Sequence, residues 1–353
     1  MGSHTRNGGC PSRRSLGHFP NPIPLNLFLF IVQFASYTAL HLSLDQVNST
    51  MVFSSKIFCM AVFASGYITA PTAADGKAQK LPWSGRAFDL TLDTLEEKYW
   101  THILTMRNNS NGKTSDYVTV KQEGRSPPYN NDTGTITIGV DKDAIFKAQI
   151  NFCRSELAQN VSANLKGTTF FRTSMMKEEA FRNPYAWQAI FPESHLFEIR
   201  VDASKSPAKL IYLNNGTWDA KWETDFVPGT WYNFGVAIKA APSGKGVVVD
   251  FYTSEGDEDL VLKTTHELVT ELPSWYEFHI GLLTLSDDGS APKMDAKQDI
   301  MSFNGVSVEA EVVTTASGIA DEVPVGDAAY IQNEVPVTAT KMGIVKSGEN
   351  CAE

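Results

Sequence analysis

The sequence predicts an all-β protein, a β-jelly roll sandwich built from two antiparallel sheets. From Trp83 onward, short runs of alternating apolar and polar residues follow one another with almost no helical periodicity. Turn signals separate these runs, at Asn215-Gly216, Pro228-Gly229, Ser243-Gly244 and Asp288-Gly289. About a dozen short strands at this spacing are typical of a sandwich, and a jelly roll suits one domain of this size.

The predicted strands, in chain order, are 87–92, 117–121, 135–140, 148–157, 167–173, 187–193, 196–201, 209–213, 231–238, 247–253, 275–283 and 301–313. The strand 275–283 shows the alternation most clearly. Its predicted core face holds Tyr276, Phe278, Ile280 and Leu282. Because successive strand residues point to opposite faces, His279 is predicted to point away from the core.

Composition narrows the choice of partners. The chain has 353 residues, is 42% hydrophobic and 20% charged, and carries a net charge of -10. Residues 1–74 carry four basic groups and one acid, so the remaining chain holds a net charge of -13. Binding to phosphate needs a basic surface, so nucleic acid and anionic membranes are poor partners. A neutral polymer fits the charge better, and we expect the protein to be a monomer.

The N-terminal region carries two apolar runs. The first, 24–44, is interrupted by polar residues and is a marginal membrane span. The second begins at Met51 and has a weakly basic start, an apolar stretch over 57–69 and small residues over 70–74, which is typical of a secretory signal peptide. A signal anchor that holds the chain in a membrane is the alternative. We expect secretion to the extracellular space, with no stable membrane association after the signal is cleaved.

Four segments follow from this pattern. Residues 1–50 are predicted to be an over-extended or non-native N-terminal segment, and residues 51–74 to be the signal peptide. Residues 75–316 form the predicted β-jelly roll domain. Residues 317–353 are acidic, lack a sustained period and are predicted to be a tail of low order.

Sequons and cysteines agree with secretion. N-glycosylation sequons, each in a stretch predicted to be a loop, begin at Asn108, Asn131, Asn160 and Asn215. Outside the leader, only Cys153 and Cys351 remain, and they allow either one disulfide or a buried strand thiol with a second thiol in the tail. The second arrangement is the prediction, so the fold is expected to depend on its core.

The stretch 145–195 holds the candidate chemistry. Arg154 and Glu156 share one face of a predicted strand, and the guanidinium is expected to keep the carboxylate ionised. A second strand, rich in aromatic residues, ends in Glu193 and His195. Two carboxylates on neighbouring strands, with aromatic platforms between them, are typical of a groove that cleaves sugars. An Arg-x-Glu pair is also common as a simple surface ion pair.

The order of several short motifs resembles glycoside hydrolase family 131 over roughly residues 81–316. These motifs are Trp83 to Arg86, Phe152 to Leu157, Trp187 to Glu193, Trp231 to Phe234, Asp250 to Tyr252 and Phe278 to Leu283. The resemblance implies a secreted β-jelly roll that acts on the β-glucans of cell walls, with β-1,3, β-1,6 and β-1,4 linkages in the family's range. It also implies that Glu156, Glu193 and His279 line the cleft.

The predicted catalytic residues are therefore Glu156, Glu193 and His279. Glu156 beside Arg154 suits the base, and Glu193 after Phe191 and Pro192 suits the acid, although the reverse assignment is open. The predicted substrate-binding residues are Arg154, Gln188, Trp187 and Tyr185, and Trp218 is a further aromatic that can stack on sugar faces. Core packing explains an aromatic residue equally well. Inversion of the anomeric centre is the favoured outcome.

One motif departs from the family pattern. Where the family has His-Glu-Tyr-Gln, this chain has Tyr185, Ala186, Trp187 and Gln188. Two alternatives therefore stay open: a glycan-binding jelly roll without catalysis, and a polysaccharide lyase on the same scaffold. The net negative charge argues against the polyanionic substrate of a lyase. No cofactor and no catalytic metal are expected, and Asp287, Asp288 and Asp295 are candidate ligands for a structural calcium ion.

Overall fold

Two antiparallel sheets form the protein, as the sequence predicts. The computed structural model describes residues 78–107, 110–286 and 289–318. The predicted leader, most of the predicted tail, Asn108, Cys351, Asp287 and Asp288 lie outside these residues. The helices of the described residues are too short or too polar to cross a bilayer.

The strands, in chain order, are β1 (Trp83–Ser84), β2 (Val118–Lys121), β3 (Thr135–Val140), β4 (Phe152–Ser162), β5 (Thr168–Met176), β6 (Ala186–Pro192), β7 (Phe197–Asp202), β8 (Lys209–Asn214), β9 (Trp222–Asp225), β10 (Tyr232–Ala240), β11 (Val247–Glu255), β12 (Val261–Leu268), β13 (Trp275–Leu285) and β14 (Asp299–Glu309). One α-helical turn, α1 (His102–Thr105), and two 3-10 turns, Leu95–Glu97 and Thr114–Asp116, complete the elements.

The six-stranded sheet has the order β4-β13-β6-β7-β8-β9, and the eight-stranded sheet has the order β12-β11-β10-β5-β14-β3-β2, with β1 paired to β14. The inner faces of both sheets form one hydrophobic core. Tyr276, Phe278, Ile280 and Leu282 all belong to that core, as the alternation predicts. Their neighbour His279 lies on the opposite face, which we call the outer face of the six-stranded sheet.

Most predicted strands are confirmed, with one clear error. Residues 87–92 form a turn and not a strand. The carboxylate of Asp132 accepts the backbone N–H groups of Ala87 and Phe88, which a strand would donate to a neighbouring strand. The sequence also misses β9 and β12, because both are partly exposed edge strands without a buried apolar face.

Strand β4 is an edge strand of the six-stranded sheet, and other parts of the chain cover its free edge. The backbone of Trp100 bonds to that of Ala158 in both directions, and the backbone of Gln79 bonds to Asn160 and Ser162. The N–H of Arg154 donates to the carbonyl of Ala144. Within the described residues, most of the edge therefore already has backbone partners.

Cys153 lies in the core as a free thiol. Burial raises the pKa of the Cys153 thiol to about 11. The thiol is therefore protonated at neutral pH and makes a poor nucleophile, in line with the predicted buried strand thiol.

Candidate active site

The first charged cluster on the outer face joins β4 to β13. Arg154 donates two hydrogen bonds to the carboxylate of Glu156, Nε to Oε1 at 2.9 Å and Nη2 to Oε2 at 2.7 Å. Nδ1 of His279 lies 2.9 Å from Oε2 of the same carboxylate. The two residues of β4 share a face because they are two positions apart, and β13 brings His279 beside them.

Charge pairing overcomes the cost of burial in this cluster. Burial disfavours the ionised form of Glu156, but Arg154 and His279 outweigh it and lower the pKa of Glu156 to about 2. Burial also disfavours a charged imidazole, yet the hydrogen bond that His279 donates to Glu156 and the nearby carboxylate of Glu277 raise the pKa of His279 to about 9. At neutral pH, a carboxylate therefore lies against an imidazolium and a guanidinium, with Nδ1–H of His279 as the donor.

A second cluster of the same composition lies on β7. Arg200 Nε donates to Oε2 of Glu198 at 2.5 Å, and His195 Nδ1 lies 2.9 Å from Oε1. Burial opposes ionisation of Glu198, and Arg200 and His195 outweigh it, so the pKa of Glu198 is lowered. Gln188, a predicted substrate-binding residue, joins this cluster through its Nε2, 3.2 Å from His195 Nδ1.

Sequence reasoning missed Glu198, although the signal is present. The pair Glu198-x-Arg200 repeats the spacing of Arg154-x-Glu156 in reverse order, and each pair falls on the outer face of its strand. The sequence predicts only the first pair as part of the site, because Glu193 supplies the second carboxylate of that prediction.

Phe191 lies between the two clusters. Its ring is nearly parallel to that of His279, with centroids 4.8 Å apart, and to that of His195, with centroids 6.0 Å apart. In the sheet order, β13 and β6 separate β4 from β7. Three strand spacings put the backbones of Glu156 and Glu198 roughly 14 Å apart.

Glu193, the predicted acid, lies just past the end of β6. Its Oε2 is 3.7 Å from Nε2 of His279, and Oε1 of Glu277 is 3.3 Å from the same nitrogen. The side chain of Glu193 is 45% exposed, whereas those of Glu156 and Glu198 are 0% and 2% exposed. Glu156, Glu193 and His279 therefore come together, with Glu193 at the solvent side.

The two predicted sugar-binding aromatics, Trp187 and Tyr185, differ in burial, and the burial of Trp187 corrects the prediction for that residue. Trp187 is fully buried in the core, and its Nε1–H donates to the carbonyl of Asn183 at 3.2 Å. Tyr185 packs against the same core, and its hydroxyl accepts from the N–H of Lys293 at 2.7 Å. Trp187 therefore offers no free face to a sugar, whereas Tyr185 is only partly buried and its role in sugar binding stays a prediction.

Other aromatic residues lie on either side of the two charged clusters. Beside β4, an aromatic wall is formed by Trp100, His102 and Phe146, with successive ring centroids 6.1 Å and 5.9 Å apart. Beyond β7, the ring of Trp218 lies over the Arg200 guanidinium. Both charged clusters therefore lie between aromatic residues.

The glycosylation sequons divide by exposure. Asn131 and Asn215 are exposed turn residues with φ values of 56°, and attachment there stays a prediction. Asn160 is a correction, because it lies inside β4 and is only 7% exposed, not in a loop. Its buried amide offers no room for a glycan.

Among the residues that the structure describes, no three His, Cys, Asp or Glu side chains form a metal-binding group.

Comparison with known proteins agrees with this fold. The family model described as Glycoside hydrolase 131 catalytic N-terminal domain matches residues 81–314. The catalytic domain of the glycoside hydrolase family 131 protein from Coprinopsis cinerea is 22% identical, with a TM-score of 0.53, and the match covers 68% of this chain and 97% of that one.

A family 131 β-glucanase catalytic domain from Podospora anserina is 20% identical, with a TM-score of 0.52, covering 67% of this chain and 98% of that one. No curated protein matches the chain in sequence. At these identities, the two solved structures establish a shared fold.

Proposed function

The chain belongs to glycoside hydrolase family 131, and on that premise we propose that it hydrolyses β-glucans with Glu156 and Glu198 as the reacting carboxyl groups. The observation that carries this proposal is the pair of Arg-Glu-His clusters on one face of one sheet. Hydrolysis of a glycosidic bond needs one carboxylic acid that protonates the leaving oxygen and one carboxylate that activates water or attacks the sugar.

Glu156 is the proposed base. Its pKa of about 2 keeps it ionised over the whole working range of pH, as a base requires. Arg154 and His279 hold its carboxylate from two sides, so the orientation of the group is fixed before substrate arrives. His279 is a positioning residue in this proposal, since it acts through Glu156.

Glu198 is the proposed acid and replaces Glu193 in that role. A sugar oxygen that reaches Glu198 displaces the contact with His195, whose side chain is 15% exposed. The carboxyl group then loses one of the contacts that lower its pKa, so the pKa rises, as a proton donor requires. His195 also connects Glu198 to solvent, from which the acid has to regain its proton after each turnover.

Inversion of the anomeric centre is the proposed stereochemical outcome. Inverting enzymes hold their two carboxyl groups about 6.5–9.5 Å apart to admit a water molecule, and retaining enzymes hold them about 5–5.5 Å apart. Strands β13 and β6 hold the two backbones roughly 14 Å apart, too far for the close pair of a retaining enzyme, so the two side chains have to lean toward each other to reach the inverting spacing. Proton magnetic resonance of the first product anomer tests this outcome directly.

Sugar release from laminarin and cello-oligosaccharides tests the assignment of the two carboxyl groups. We expect Glu156→Gln and Glu198→Gln each to lower the rate by about 10²–10⁴. Glu193→Gln is the matched control, and it is expected to keep most of the activity. A β-glucoside with a dinitrophenolate leaving group needs no acid, so it should restore turnover in Glu198→Gln but not in Glu156→Gln. Wild-type rates in either variant would remove that residue from the mechanism.

A further inference from the structure

Trp218 is a large aromatic residue that the core does not use. It follows β8 in the turn that leads to β9, and it is 48% exposed. The guanidinium carbon of Arg200 lies 4.5 Å from the centroid of its ring. Arg200 is only 2% exposed, so one face of the indole rests on a buried cation and the exposed part of the ring faces solvent.

The turn that carries Trp218 is bonded directly to the turn that carries His195. Gly216 N–H donates to the carbonyl of His195 at 3.0 Å, and Asn215 N–H donates to the carbonyl of Leu196 at 3.3 Å. The position of the indole is therefore fixed relative to the second cluster from two directions, through the backbone and through Arg200.

We propose that Trp218 is a stacking platform for one glucose ring of a β-glucan, on the Glu198 side of the scissile bond. This inference rests on the function proposed above. A glucose ring in β-linkage presents C–H groups on its faces, and an aromatic ring with one free face packs against them. The same arginine stacks on Trp218 and donates to Glu198, so a sugar on the platform lies next to the proposed acid.

The position of Trp218 also sets the direction of the polymer. The aromatic wall lies beside β4, at one edge of the sheet, and Trp218 lies beyond β7. A chain that contacts both of them crosses the strands and passes over both carboxyl groups. Only oligosaccharides long enough to extend past Glu198 reach the platform, so its contribution to binding depends on chain length.

Calorimetric titration with laminari-oligosaccharides and cello-oligosaccharides of two to six units tests the platform. The full chain carries Glu156→Gln to stop turnover, and the Michaelis constant of the otherwise unchanged enzyme replaces titration if that variant does not fold. We expect Trp218→Ala to weaken binding of the longest oligosaccharides roughly tenfold, which corresponds to about 1.4 kcal/mol. Trp218→Phe should weaken this binding less. Binding of the shortest oligosaccharides should be unchanged in both variants.

The matched control is Trp231→Phe. Trp231 also stacks on an arginine, with 4.5 Å between the guanidinium carbon of Arg125 and the ring centroid, but it precedes β10 in the other sheet. The affinity of the Trp231→Phe variant for every oligosaccharide should equal that of the parent protein. Unchanged affinity in Trp218→Ala, or an equal loss in Trp231→Phe, would overturn the platform.

The two proposals fail in different ways. If oligosaccharides bind in a way that depends on Trp218 but no sugar is released by the unmodified protein, the hydrolase proposal fails and the platform stands. If sugar is released and Trp218→Ala binds normally, the platform fails and the hydrolase proposal stands. If no oligosaccharide binds at all, both fail.

Discussion

The imidazole of His279 lies flat against the ring of Phe191, with 4.8 Å between the centroids and 9° between the planes. An aromatic face attracts a cation, so this contact favours the protonated form of His279. Phe191 also keeps water away from the imidazolium, which strengthens the attraction of Glu156. Phe191, which carries no charge, thus helps to stabilise the positive charge of His279 in the first cluster.

Replacing Phe191 by leucine should lower the pKa of His279 below about 9, because the imidazolium loses the aromatic face that stabilises its charge. A nuclear magnetic resonance titration of the imidazole protons measures this change. The control is Phe170→Leu, a buried phenylalanine in the smaller core cluster on the other sheet. Both variants should lose about 1–2 kcal/mol of stability, but only Phe191→Leu should shift the titration.

Stability should depend on pH through Glu156 and His279. Folding lowers the pKa of Glu156 from 4.5 to about 2, so its contribution is complete above pH 4.5 and is lost as the pH falls toward 2. Folding raises the pKa of His279 from 6.5 to about 9, so its contribution is complete below pH 6.5 and is lost as the pH rises toward 9. We expect this pair to stabilise the fold most between pH 4.5 and 6.5.

Denaturant unfolding at a series of pH values measures that profile. In Glu156→Gln, His279 loses its main charge partner, so the decrease in stability between pH 6.5 and 9 should become smaller. Glu179→Gln is the control, because this carboxylate is exposed on the surface and its pair with Arg182 is far weaker. An unchanged alkaline decrease in Glu156→Gln would contradict the pairing.

Gly281→Ala should disturb Glu156 directly. Gly281 pairs with Glu156 across β13 and β4, and an added Cβ would lie 2.7 Å from its Cα and 2.9 Å from its Cγ. Such crowding forces a backbone shift, so we expect a loss of about 1–3 kcal/mol of stability and a decrease in sugar release. Gly229→Ala is the control: its φ is also positive, but an added Cβ there meets open space. It should lose stability through backbone strain and keep full activity.

The sequence predicts the core face of β13 and the shared face of Arg154 and Glu156 on β4, because each depends on strict alternation within one strand. Alternation fails in β6, where the register against β7 shifts between Gln188 and Ile190. That irregularity sends Trp187 and Ile190 into the core and Phe191 to the outer face. No pattern of apolar residues predicts such a shift. Trp187 is therefore predicted to face a sugar, whereas it lies in the core.

The sequence alone can predict that Glu198 and Arg200 share a face of one strand. It cannot predict which strands bring the second cluster beside the first. The spacing of Glu198 and Arg200 is visible in the sequence. Which strand lies beside which depends on long-range pairing, and the order β4-β13-β6-β7 joins segments more than 100 residues apart. The role of Trp218 depends in the same way on a turn that packs beside His195.

The covered edge of β4 has a consequence for concentrated protein. An open strand edge is a template on which a second molecule can add a strand, and repeated addition leads to fibres. On this sheet, Trp100, Gln79 and Ala144 already occupy backbone positions that a visiting strand would need. The side of the molecule next to the first cluster is thereby protected from self-assembly.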